Sequence, residues 1–141
     1  MTHQFEVMAE LILHATEDSK KIFEPIFELF QIKEDEFTIE RTLGHYGNTI
    51  LLAKITLSKK RAEEFVKKLV SRISKTQMKD FIENIDLYFE DTSLFLRIGK
   101  NELVSKEISL QQNNAIKIKI KMPIYKKDEI SKKYIELLQF E

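Results

Sequence analysis

Apolar residues recur at every second position from Phe5 to Leu13. Phe5, Val7, Ala9, Leu11 and Leu13 share one face, and Glu6, Met8, Glu10 and Ile12 share the other. This alternation predicts a strand. The second face turns apolar near its end, so the strand is expected to be central and covered there on both sides. Thr16, Asp18 and Ser19 then offer helix caps. Ile22, Phe23, Ile26, Phe27 and Phe30 follow at helical spacing and predict a helix over residues 19–30. Pro25 inside it removes a backbone donor, which predicts a kink or a later start.

Residues 36–43 and 49–57 read as two more strands. The loop between them, Gly44-His45-Tyr46-Gly47-Asn48, has two glycines to take positive φ. Ser58 is placed to cap an amphipathic helix marked by Ala62, Phe65, Val66, Leu69, Val70 and Ile73. A further helix restarts at Ser74 and runs through Met78, Phe81, Ile82 and Ile85. Residues 93–98 form a fourth strand, and 99–105 a turn or short helix. Residues 107–110 and 115–122 are expected to pair as a final hairpin. In its second strand Ile116, Ile118, Ile120 and Met122 point inward, and Lys117, Lys119 and Lys121 outward. Pro123 stops that strand. Residues 126–138 read as a polar helix.

The pattern implies an α+β fold with two layers, a mostly antiparallel sheet carrying helices packed on one face. Residues 1–122 read as one domain, and 123–141 as a lysine-rich C-terminal helix or tail. The composition is globular, with 43% hydrophobic and 33% charged residues. With no cysteine, disulfides and thiolate metal sites are excluded. The N-terminus does not read as a signal peptide, and no apolar run is long enough to span a bilayer. A cytoplasmic protein with no membrane contact is expected.

The net charge is zero, yet its distribution is uneven. Residues 1–50 carry 4 basic and 10 acidic side chains, and residues 51–141 carry 19 and 13. Between Lys54 and Lys79 nine Lys or Arg face only Glu63 and Glu64. Lys59, Lys60, Lys67, Lys68, Arg72 and Lys75 can form a basic ridge of the kind that neutralises phosphates. The same residues also have the i,i+4 spacing of a solvated, ion-paired helix face. Lys117, Lys119 and Lys121 form a second basic row, which fits either a nucleic-acid backbone or a guarded sheet edge. Tyr46 can stack on a base or fold back on the sheet.

Catalytic signals are sparse. Three glycines in the whole chain make no phosphate-cradling loop. His14, Asp18 and His45 could form a minimal metal or proton-transfer group, or could simply cap a helix and fill a loop. No cofactor is expected, and binding is expected in place of catalysis.

Leu13-His14-Ala15-Thr16-Glu17-Asp18 and Gly44-His45-Tyr46-Gly47-Asn48 carry a resemblance. Together with the Leu94-Phe95-Leu96-Arg97 and Ile116-to-Ile120 strands, they resemble the archaeal RNA-binding family described as a predicted exosome subunit. The resemblance covers roughly residues 5–122. It implies a curved, ribosomal protein L5-like sheet backed by helices. It also implies RNA binding in association with exosome or ribosomal proteins, often with no enzymatic activity assigned. The expected RNA contacts are therefore Lys59, Lys60, Lys67, Lys68, Arg72, Lys75, Lys117, Lys119 and Lys121 on phosphates, with His45 and Tyr46 on bases. The alternatives are a homodimeric protein-interaction module without direct RNA contact and a small metal-dependent enzyme.

Overall fold

The computed structural model describes residues 5–14, 17–44 and 47–139. Among them lies one six-stranded antiparallel sheet, ordered β2-β3-β1-β6-β5-β4. The strands are β1 (Glu6–His14), β2 (Thr38–Leu43), β3 (Thr49–Ser58), β4 (Phe89–Glu90), β5 (Ser93–Gly99) and β6 (Ala115–Lys121). The helices are α1 (Lys20–Phe30), α2 (Lys59–Arg72), α3 (Lys75–Glu83), α4 (Lys100–Val104) and α5 (Ile130–Leu138). The α+β, two-layer class expected from the alternating patterns is the one observed.

Alternation decides which sheet face is covered. Val7, Ala9, Leu11 and Leu13 of β1 register with Leu57, Ile55, Ala53 and Leu51 of β3. On the other side, Val7 and Ala9 meet Ile120 and Ile118 of β6, which meet Leu94 and Leu96 of β5. All but the half-buried Leu51 are buried. The helices contribute Ile22, Phe23, Ile26, Leu29 and Phe30 from α1, and Ala62, Phe65, Val66 and Leu69 from α2. The Phe30 and Phe65 rings meet at 4.6 Å, joining these two helices over the sheet. Residues 123–139 are part of this packing. Ile130, Tyr134 and Leu138 of α5 are buried, and the Tyr134 hydroxyl bonds the carbonyls of Thr92 and Ile120.

Several expectations are corrected. β1 is central, between β3 and β6, but its second face is open: Met8 is 40% and Ile12 46% exposed. The expected final hairpin does not form, because both edges of β6 are taken by β1 and β5. The 107–110 segment turns instead to the outer edge of β5, where Leu110 bridges Ile98. The short strand β4 occupies the same edge and was not expected. Helix α1 passes through Pro25 from Lys20 to Phe30. Ser58 makes no side-chain cap bond, since Lys59 enters α2 at φ 54, in the left-handed region. Ser74 does cap α3, accepting from the Gln77 amide at 3.1 Å. Among the described residues of the β2–β3 loop, Gly47 takes positive φ, at 78, and Gly44 does not. A Cβ at Gly44 would sit 2.7 Å from Ile50 Cδ1, the movable end of that side chain, and 3.3 Å from the Asn48 carbonyl oxygen.

Candidate nucleic-acid interface

The face of the sheet turned away from the helices collects the second residue of every alternating pair. In one row the register sets Lys54, Glu10, Lys117 and Arg97 side by side across β3, β1, β6 and β5. The next row holds Thr56, Met8, Lys119 and Phe95, and the row after it Ser58, Glu6, Lys121 and Ser93. Cross-strand neighbours on one face sit roughly 5 Å apart, close enough for these side chains to touch.

The β6–β5 half of this face is its cationic half. Phe95 lies there half-buried, with Lys117 Nζ 5.1 Å and Lys119 Nζ 5.9 Å from its ring centre. Both ammonium groups therefore sit over an aromatic face that attracts them. Arg97 and Lys121 are exposed on either side. The β3–β1 half is different. Glu6 and Glu10 offset the neighbouring lysines, and exposed Met8 and Ile12 lie beside half-buried Leu52.

The structure divides the expected phosphate ligands into two groups. Lys117, Lys119 and Lys121 stand on the open sheet face. Helix α2 uses Ala62, Phe65, Val66 and Leu69 to pack on the opposite face, so Lys59, Lys60, Lys67, Lys68 and Arg72 lie on the helical layer. Lys75 opens α3 on that same layer. The two groups do not form one surface. Within the helical group, Lys68 Nζ bonds the Gln31 side chain at the end of α1. Arg61 pairs with Glu36 at 2.5 Å. That contact raises the guanidinium's pKa and lowers the carboxylate's, in each case chiefly through the shared hydrogen bond.

His45 and Tyr46 lie outside the described residues, and so does the part of the proposed metal group that rests on His45. His14 registers with Ile50, beside the β2–β3 loop. Asp18 instead accepts from the Lys20 amide at 3.1 Å and caps α1. Among the described residues no cluster of three or more metal-ligating side chains forms. No helix among them is long and apolar enough to cross a membrane.

Phe95 and Arg97 share the face of Lys117, Lys119 and Lys121 and were not among the expected contacts. The signal was present: in Leu94-Phe95-Leu96-Arg97 the buried leucines force Phe95 and Arg97 onto the lysine face.

Comparison with known proteins places this face in a context. A family described as RNA binding matches residues 6–122, from the first residue of β1 to just beyond β6. The chain belongs to this RNA-binding family. It is similar in fold to a DUF54 protein from Archaeglobus fulgidus, at TM-score 0.79 and 26% identity over 97% of this chain and 99% of that one. A DUF54 protein from Methanothermobacter thermautotrophicus matches at TM-score 0.74 and 24% identity, covering 99% of each chain. One from Sulfolobus solfataricus matches at TM-score 0.76 and 22% identity, over 94% of this chain and 96% of that chain. No curated protein matches in sequence. Among the described residues, β1 to β6 and α1 to α4 of this RNA-binding family member begin and end within the matched span; α5 follows it.

Proposed function

We propose that the protein binds RNA through the open face of its sheet, with the β6–β5 half as the contact surface, and without catalysis. The observation that carries this reading is Phe95 with the Lys117 and Lys119 ammonium groups over its ring, on the sheet face opposite the helices. Sheets that bind single-stranded RNA use this combination. Bases stack on an aromatic ring, and neighbouring cations take the phosphates. Lys117, Lys119, Lys121 and Arg97 supply the phosphate contacts here, and Phe95 the stacking surface. Membership of an RNA-binding family supports RNA as the ligand. The basic ridge of α2 is left as a second surface, free to meet another segment of a folded RNA or a protein of an exosome or ribosomal assembly. A cytoplasmic location fits this role.

The test is binding of a fluorescent single-stranded RNA over a series of salt concentrations. For the unaltered protein, log affinity should fall linearly with log salt. Replacing Lys117, Lys119 and Lys121 with Gln should weaken binding and make the slope shallower by about 2, at roughly 0.7 per lost phosphate contact. An unchanged slope in that variant, with the slope lost instead on replacing Lys60, Lys67 and Arg72, would move the interface to the helical layer.

A second reading is favoured by one observation. Exposed Met8 and Ile12 form an apolar strip on the β1 half of the same face, which suits a homodimer. Sedimentation at micromolar concentration separates the two: a dimer that binds no RNA supports this second reading.

A further inference from the structure

The outer edge of β5 is only partly covered. At one end the Phe95 amide donates to the Tyr88 carbonyl at 2.7 Å. At the other, the Gln111 amide donates to the Arg97 carbonyl at 3.0 Å, and the Gly99 amide to the Ser109 carbonyl at 2.9 Å. In an antiparallel strand, the amide and carbonyl of one residue point to the same side. The Phe95 carbonyl and the Arg97 amide must therefore face this outer edge as well. The Tyr88 amide, which would complete the pair with Phe95, is turned to the Ile85 carbonyl. One acceptor and one donor are left facing a gap between β4 and the 109–111 segment.

That gap is a cavity of about 530 Å³. Its lining includes Phe81, Tyr88, Phe89, Asp80 and Gln112, together with Phe95 and Arg97 themselves. Tyr88 is stacked on Phe81 at 4.3 Å between ring centres, so one wall is an ordered aromatic surface. Gln77 holds the far wall in place: its side chain donates to Ser109 Oγ and accepts from the Leu110 amide, each at 3.0 Å.

We propose that this gap is a pocket for one unpaired RNA base, whose hydrogen-bonding edge is read by the Phe95 carbonyl and the Arg97 amide. This rests on the RNA-binding reading above. Three features select a base over a peptide strand. An added strand needs a run of free backbone groups, and here the next group on each side is already bonded. A base presents a donor and an acceptor next to each other on one edge, as the gap requires. A base also has the planar face that an aromatic wall stacks against. Charge sets the direction of entry. Asp80 of α3 lines the helix side, whereas Arg97 lines the cavity from the open face, where Lys117 and Lys119 are its neighbours on β6 and Glu90 pairs with Ser93 at the β4 end. The phosphate chain therefore runs over the open face and turns one base around the β5 edge. The carboxylates accept hydrogen bonds and so favour a base with an amino group over uracil.

The test uses the ¹⁵N-labelled full chain and two short RNAs of equal phosphate number. One carries adenine at its central position, and the other is abasic there. The expected result is that both shift the signals of β6 and of Arg97, while the adenine-bearing RNA moves the Arg97 amide proton further downfield than the abasic one does, as a new hydrogen bond requires. Tyr88→Leu, which keeps apolar bulk against Phe81, should weaken the adenine RNA roughly tenfold and leave the abasic one unchanged. Binding of both RNAs with the same Arg97 amide shift overturns the pocket and leaves the open-face reading standing. Binding of neither overturns both. An Arg97 shift produced by an uncharged extended tetrapeptide, and not by RNA, overturns the base assignment in favour of a protein segment.

Discussion

Tyr134 is fully buried, and its hydroxyl hydrogen is shared between the carbonyls of Thr92 and Ile120. This one side chain ties α5 to the turn before β5 and to the end of β6. Burial pushes its pKa up to about 12, because ionising it would place a charge in the core. In the unfolded chain the phenol ionises near 10. Between pH 10 and about 12 the unfolded state therefore binds fewer protons than the folded one, and stability falls as pH rises. Tyr134→Phe should remove that alkaline slope. At neutral pH it should cost about 1–3 kcal/mol, since one buried and one half-buried carbonyl lose this donor. Urea denaturation at pH 7 and at pH 11 checks both effects. Nothing in the sequence marked Tyr134 for this role, because its acceptors lie 42 and 14 residues away. Phe95 was more legible: two-residue alternation alone assigns it to the lysine face, although only the sheet order shows that β6 lies beside it.

Between elements, Lys100 is the main polar tie. It opens α4 and is only 4% exposed. Its ammonium donates to the Ile12 carbonyl of β1 at 2.7 Å and to Glu17 at 3.1 and 3.2 Å. This ties the end of β1 and Glu17, ahead of α1, to the start of α4. Burial raises the Glu17 pKa, but the His14 amide and the Lys100 ammonium outweigh it and hold the carboxyl below its usual value. The pair's contribution is therefore complete above about pH 4.5 and is lost as pH falls through the lower folded value. Glu17→Gln should flatten acid unfolding in that range. It should cost about 1–2 kcal/mol at pH 7, less than a fully buried pair because Glu17 is 30% exposed. Thermal unfolding from pH 3 to 7 reads both. The hairpin of residues 107–122 shows where local reading stops. Ile108 and Leu110 have a strand's alternation and lie close to β6 in sequence. Strand pairing, however, is a competition across the whole sheet, and β1 and β5 take both β6 edges. Helix α2 was legible because its apolar stripe is continuous, but no local pattern could show that its lysines and those of β6 end on opposite layers.

For the whole molecule, 23 basic and 23 acidic side chains cancel, but the sheet interleaves them. Acidic β1 sits between basic β3 and β6, so Glu10 lies between Lys54 and Lys117. The sheet's open face is thereby divided into a mixed, partly apolar half and a cationic, aromatic half. The second half is the contact surface we propose for RNA. Family membership supports the ligand, and the sheet geometry supports the location. Photo-crosslinking settles the location most directly. A single-stranded RNA carrying 4-thiouridine would be irradiated on the intact protein and the linked peptides mapped by mass spectrometry. We expect crosslinks within residues 93–97 and 117–121, on the face opposite the helices. Crosslinks confined to residues 59–75, on α2 and the start of α3, would contradict the open-face interface.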